Sequence, residues 1–194
     1  MRYFKSISFF LTFLKFFAII GLGYRRTKMR IIAIDASTKS TGVAYFNNNK
    51  LEAWDCLTAS STDLIRRIAK ITKMLKEFLD THPADKIILE EVRNENGLAQ
   101  NPQTHRALMW LQAAIAFMVH ENFKNTKIEY VYPNQWRSAC GIKTGRGIKR
   151  ESLKDADVRF VSETYGILVN DDVADAIGIG HAYVNQLDNE INWE

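Results

Sequence analysis

Arg30-Ile31-Ile32-Ala33-Ile34-Asp35-Ala36-Ser37-Thr38-Lys39-Ser40-Thr41-Gly42 is the stretch on which the fold turns. Arg30 to Ile34 reads as a strand covered on both faces, because its apolar residues run on without alternation. It ends on a carboxylate, Asp35. A polar turn, Ser37 to Thr41, then leads into a second strand, Gly42 to Phe46. Two further acidic groups stand in the same way at the ends of apolar runs: Glu90 after Ile87-Ile88-Leu89, and the pair in Asp172-Val173-Ala174-Asp175-Ala176-Ile177.

Outward from that core, Asn47-Asn48-Asn49 forms a hairpin turn into a third strand, Leu51 to Leu57. Ser61 or Thr62 caps a helix whose Leu64, Ile68, Ile71, Leu75 and Leu79 keep a helical period, and His82-Pro83 ends it. Lys86 to Glu91 is the fourth strand. After a polar loop, Asn94 to Pro102, a long helix runs from about Gln103 to Phe123. Its Leu108, Leu111, Ile115 and Val119 form one stripe, while Trp110, Ala114 and Phe117 lie around the other side. A helix apolar on more than one face is buried or meets another copy, and Leu111 and Ile115 are the expected positions of such a contact. Lys127 to Tyr132 makes a fifth strand that Pro133 stops. Helices from about Lys149 to Tyr165 and from Asp171 to Leu187 complete an α/β domain: a five-stranded mixed sheet with helices on both faces.

The 194 residues, 46% apolar, suffice for one domain, expected over 29–194, with no linker or internal repeat to divide it. The net charge of +4 is misleading: residues 1–28 carry six basic residues and no acid, and without them 20 basic residues face 22 acidic ones, a net −2. A local basic signal survives. Arg137, Lys143, Arg146, Lys149, Arg150 and Lys154 fall within eighteen residues holding only one acid, Glu151. The ordinary reading of such a run is a solvated loop and helix face. Cys56 and Cys140 have neither metal-ligand spacing nor a neighbouring His, so they read as packing residues of a reduced, cytoplasmic protein.

In the N-terminal extension, Ile7 to Leu22 is apolar apart from Ser8, Thr12, Lys15 and Gly21, with basic residues on both sides, as in a signal anchor. Lys15 opposes insertion, since a lysine at the centre of a span costs about 3 kcal/mol. The expectation is a dispensable extension, with Met29 a natural start and no stable membrane association unless 1–28 is a true anchor.

Carboxylates that end buried elements repel one another unless cations lie between them. Hard oxygen ligands suit Mg²⁺ or Mn²⁺, and a pair of such ions can clamp both oxygens of a phosphodiester under attack. At about 100° per residue, Asp172 and Asp175 lie some 60° apart on the last helix and can aim at one place. Asp171 is equally a helical neighbour of Asp175, so spacing alone leaves Asp171 and Asp172 open. Taken singly, each acid has an ordinary reading: a turn cap for Asp35, a lysine partner for Glu90, helix N-terminal charge for the aspartates. The order is more telling than its members.

Asp at the end of strand one, Glu at the end of strand four and Asp-x-x-Asp on the final helix resemble the ribonuclease H-like superfamily and, within it, the RuvC-type Holliday junction resolvases, including divergent phage-type members. The matching stretches are Ile34-Asp35-Ala36-Ser37 with Thr41-Gly42, Leu89-Glu90-Glu91-Val92, Tyr132-Pro133 with Gln135-Trp136-Arg137, and Asp172-Val173-Ala174-Asp175-Ala176. The resemblance implies that Asp35, Glu90, Asp172 and Asp175 ligate Mg²⁺, with Mn²⁺ able to substitute and two ions per site, and it selects Asp172 over Asp171. It implies a homodimer acting on a Holliday junction or related branched DNA. It also implies a basic residue after the Tyr-Pro strand end, here Arg137, and a catalytic one near the start of the next helix, here Lys149 in preference to Arg150 and Lys154. Lys39, Arg93, Lys143 and Arg146 join these as candidate DNA contacts.

Two positions depart from the family pattern. Ser37 stands where the family often has Gly, and Arg93 where it often has an aromatic that can stack on an unpaired base. A broader range of branched substrates is the expected consequence. The alternatives are a ribonuclease H acting on RNA–DNA hybrids, an actin-like sugar kinase or ATPase, and a non-catalytic nucleic-acid-binding module. The kinase class needs a second similar domain and another phosphate loop. The histidines do not compete for the chemistry: His181 lies about 180° around the helix from Asp172, and His82, His105 and His120 sit in a loop, a first helical turn and a helix end.

Overall fold

The computed structural model describes residues 29–92 and 101–186. The expectations for the N-terminal extension, Arg93 and Leu187, and most of the loop 94–102, fall outside these residues. Among the described residues no helix is long and apolar enough to cross a membrane.

The first three strands form an antiparallel meander: β1 (Arg30–Asp35), β2 (Ser40–Asn47) and β3 (Lys50–Thr58). Its tight turn falls at Asn48 and Asn49, both at positive φ (50° and 66°), the twist that a two-residue hairpin requires. Helix α1 (Leu64–Thr81) follows, capped by Asp63, whose carboxylate accepts from the Arg66 amide. Neither Ser61 nor Thr62 is the cap; the Ser61 hydroxyl instead accepts from the Asp63 amide. Strand β4 (Lys86–Glu90) pairs parallel with β1, and α2 (Pro102–Asn122) leads to β5 (Lys127–Val131), parallel to β4. The sheet order is β3-β2-β1-β4-β5.

Pro133 does more than stop β5. It opens a short helix unforeseen in the sequence, α3 (Pro133–Ala139), because a proline at the first helical position forfeits no hydrogen bond. Gln135 turns back to accept from the Tyr132 amide. Helices α4 (Arg150–Tyr165), ended by left-handed Gly166, and α5 (Asp171–Gln186) complete the chain.

Strand alternation divides the apolar residues between two cores. Ile32, Ile34, Val43, Ile87 and Leu89 face α1 and α2, packing on Ile71, Leu75, Leu111 and Ile115. Ile31, Ala33, Ala44, Phe46 and Ile88 face the other side, against Trp136 of α3, Val161 of α4 and Ile177 of α5. Helices thus cover both faces of the mixed sheet, as expected. Helix α5 is buried nearly all round from Val173 to Gly180. Its far end is fixed by a cluster in which Tyr183 donates to Glu129 (2.6 Å) while the Lys86 ammonium reaches both (2.6 Å each).

The assignment of Leu111 and Ile115 to an oligomer contact is corrected by this packing. Both are wholly buried within the monomer. The free apolar side of α2 carries Met109, Trp110 and Phe117, exposed by 45%, 47% and 69%.

Candidate active site

The register that builds the sheet also builds the site. Ile34 pairs with Leu89 on parallel neighbours, so Asp35 and Glu90 follow side by side at the strand ends. Both keep the parity of Ala33 and Ile88, so both point to the α3–α4–α5 face. Opposite Asp35 on β2 stands Gly42, which lets α5 close in: a Cβ there would lie 1.8 Å from the Asp172 carbonyl oxygen. The first turns of α5 are thereby pressed onto the ends of β1 and β2.

Burial raises the Asp35 pKa well above the ordinary range, and the charges of Glu90 and Asp172 raise it further. Burial also raises Glu90, against the Trp136 indole N–H that donates to its Oε2 at 2.7 Å and the Arg137 charge. The Gln112 amide donates to the Glu90 backbone oxygen at 2.6 Å. Asp175 is pushed up to about 10 by burial, then by the charges of Asp35 and Asp157. Its Oδ1 is buried without a hydrogen-bond partner. Asp172 accepts from the Ser40 hydroxyl, whereas Asp171 is ion-paired with Lys154, which holds it below its usual range. The two aspartates left open by helical spacing thus have different surroundings.

Three carboxylates with raised pKa values, Asp35, Glu90 and Asp175, and one orphaned oxygen fit a hard divalent cation in chemistry. In the rotamers seen, no three acidic, His or Cys side chains among the described residues stand close enough to hold a metal. Trp136, Arg137 and Ser40 each engage one carboxylate instead.

The basic residues separate into two kinds. Lys39, Lys143, Arg146, Lys149 and Arg150 are exposed, Lys39 in the turn after β1 and the others on the α3–α4 loop or the start of α4. Arg137, a candidate contact to the scissile phosphate, is largely buried: its guanidinium donates to Asp157 at 2.9–3.2 Å and to Asp175 at 3.3 Å. Lys154 is tied to Asp171 and its charge reaches Asp35, while the charge of Arg150 is felt at Glu90.

Asp157 escaped the sequence reading, as did the roles of Ser40, Gln112 and Trp136. A signal for Asp157 was present: with Leu153 and Val161 it keeps a four-residue spacing, a carboxylate set in an apolar stripe. His181 lies apart from the acids, hydrogen-bonded to Tyr165 at 2.8 Å and packed edge-on against Phe160. Both cysteines are free thiols.

Acids at the ends of two adjacent parallel strands and on a helix packed across them define a ribonuclease H-like architecture. No family model matches the chain, and no curated protein matches it in sequence. Solved structures do match. Thermus thermophilus RuvC in complex with a Holliday junction substrate aligns with a TM-score of 0.64 and 15% identity, over 84% of this chain and 97% of that one. The yeast mitochondrial Holliday junction resolvase Ydc2 aligns with a TM-score of 0.55 and 16% identity, over 84% and 82%. For Fowlpox virus resolvase with Holliday junction DNA the figures are 0.50 and 20%, over 82% and 99%. The fold is that of the RuvC-type resolvases.

Proposed function

We propose that this protein is a divalent-metal-dependent, structure-selective endodeoxyribonuclease that resolves four-way DNA junctions and related branched DNA, a crossover junction endodeoxyribonuclease. The observation that carries this reading is the convergence of Asp35, Glu90, Asp172 and Asp175 from β1, β4 and α5 at one end of the sheet, in the fold of junction resolvases. Two Mg²⁺ ions, or Mn²⁺ in their place, bound by these residues would supply an activated water and stabilise the departing 3′ oxygen, leaving a 5′ phosphate. The chain's own residues prepare that chemistry. Ser40 orients Asp172, and Trp136 orients Glu90. Lys143, Arg146, Lys149 and Arg150 offer exposed charge to the DNA phosphates near the site.

A homodimer belongs to the same reading, since symmetric resolution needs two sites, and Met109, Trp110 and Phe117 supply an apolar surface for it. The corresponding compartment is the cytoplasm of a bacterial or phage-infected cell.

The test is incubation of the full-length protein with labelled four-way junction, linear duplex and RNA–DNA hybrid, in Mg²⁺ or EDTA. Paired nicks in the junction that require Mg²⁺ are expected. Preferential cutting of the hybrid would assign a ribonuclease H, and absence of all cutting would overturn the enzymatic reading.

A further inference from the structure

Two neighbouring residues of α3 touch acids on two other elements. Trp136 donates to Glu90 of β4 at 2.7 Å, and Arg137 donates to Asp175 of α5 at 3.3 Å. The guanidinium stacks over the Trp136 ring, its central carbon 4.2 Å from the ring centroid, so the two contacts form one rigid unit. Behind it stands Asp157, whose side chain is 0% exposed. It accepts from Arg137 Nε at 3.0 and 3.2 Å and from Nη2 at 2.9 Å. This two-pronged pairing fixes the guanidinium plane as a single ammonium contact would not.

We propose that Asp157 and Arg137 are positioning residues for the acidic site: Asp157 commits Arg137 to the interior, where it sets Asp175 against Glu90 rather than binding a DNA phosphate. The inference rests on the nuclease reading of the same site and deepens it. Three observations support it. Access is poor, since the Arg137 side chain is only 11% exposed. Charge is consumed, since one guanidinium faces the carboxylates of both Asp157 and Asp175 and keeps no net attraction for a phosphate. Phosphate contacts are available elsewhere, from four exposed basic residues between Lys143 and Arg150.

A phosphate ligand and a positioning residue differ in what their loss alters. Neutralising a phosphate contact lowers the slope of log affinity against log salt by about one unit. Loss of a group that orients metal ligands weakens metal binding, typically tenfold to a hundredfold, without changing that slope. Asp157→Asn, Arg137→Gln, Arg137→Lys and the double variant Arg137→Gln/Asp157→Asn, all in the full chain, separate the cases. Mn²⁺ binding is measured by calorimetry without DNA, and junction binding in EDTA across a salt series.

Mn²⁺ affinity is expected to fall roughly tenfold in each single variant. Arg137→Lys should resemble Arg137→Gln, because the two-pronged geometry matters and not the charge alone. The salt slope should stay at the wild-type value throughout, and the double variant should lose less than the sum of the singles. The double variant leaves neither Arg137 nor Asp157 as an unpaired buried charge, so it answers the question even if Asp157→Asn fails to fold. A slope lowered by about one unit in Arg137→Gln, or unchanged Mn²⁺ binding in Arg137→Gln and the double variant, would overturn the proposal. Wild-type protein that binds neither Mn²⁺ nor junction would instead overturn the nuclease reading, so the two failures are distinguishable.

Discussion

Gly42→Ala should disable the site while leaving most of the fold in place. The added Cβ would lie 1.8 Å from the carbonyl oxygen of Asp172, 2.4 Å from its carbonyl carbon and 2.9 Å from the Val173 nitrogen. Ordinary contact requires about 3.5 Å, so sheet and helix must part by roughly 1.5 Å. Strand β2 cannot retreat, because Gly42 is paired with Asp35 on one side and Cys56 on the other. The movement therefore falls on the first turn of α5, which carries Asp172 and Asp175 away from Asp35 and Glu90. Misplacing a reacting constellation by about 1 Å costs on the order of a hundredfold in rate, and that is the expected loss in single-turnover junction cleavage at saturating protein and Mg²⁺. Overpacking costs about 1–3 kcal/mol. For a chain of this size that lowers Tm by about 2–12 °C, readable by circular dichroism. Gly180→Ala is the control: its Cβ would meet the Phe46 ring at 2.2 Å, about two turns along α5 from Asp172 and more than one from Asp175. It should lose comparable stability and keep its rate within tenfold. Wild-type rate and Tm in Gly42→Ala would refute the claim that this close approach sets the site.

Asp35→Asn, Glu90→Gln and Asp175→Asn are each expected to abolish cutting on a denaturing gel while junction binding persists in a mobility shift; Asp171→Asn, which loses only its pair with Lys154, should cut at nearly the wild-type rate. Trp110→Asp or Phe117→Asp should give folded monomers in sedimentation, whereas Leu111→Asp, at a wholly buried position, should unfold; a wild-type chain that is monomeric at micromolar concentration defeats the dimer. The pH dependence follows from Asp175, raised in the folded state from 3.8 to about 10, with Asp35 and Glu90 shifted the same way. Between those values the folded state holds a proton that the unfolded chain has lost, so metal-free stability is full below about pH 4 and declines as pH rises toward 10. Thermal melts in EDTA should therefore fall from pH 5 to pH 8, Asp175→Asn should flatten that decline, and the gain in Tm on adding Mg²⁺ should grow with pH, because the metal binds the ionised carboxylates.

The sheet was legible because its strands are written in the two plainest patterns, unbroken apolar runs at Ile31–Ile34 and Ile87–Leu89 and an Asn-rich turn between β2 and β3. What failed to show was local. Pro133 reads equally well as a strand stop or a helix start, and only the packing of Trp136 beneath α5 decides for the helix. The stripes of α2 were both seen, but periodicity does not say which one meets the core. The acids at the strand ends were visible because each interrupts an apolar run. Ser40 and Gln112 were not, since a hydroxyl or amide that orients a carboxylate has no spacing rule of its own.

The basic residues show most sharply where one-dimensional reasoning stops. Along the sequence, Arg137, Lys143, Arg146, Lys149, Arg150 and Lys154 form one cationic run, and nothing in the run distinguishes them. In the fold, Arg137 at one end is buried against Asp157 and Asp175, Lys154 at the other is half-buried and paired with Asp171, and the four between them face solvent. These two cations offset part of the repulsion that gathering the aspartates creates. The outward four lie on the loop before α4 and on its first turn, beside the acids whose field they share through Arg150. Under the nuclease reading, a domain that is net negative without its N-terminal extension can still hold a polyanion next to its own carboxylates, because Lys143, Arg146, Lys149 and Arg150 group exposed positive charge beside the acidic site.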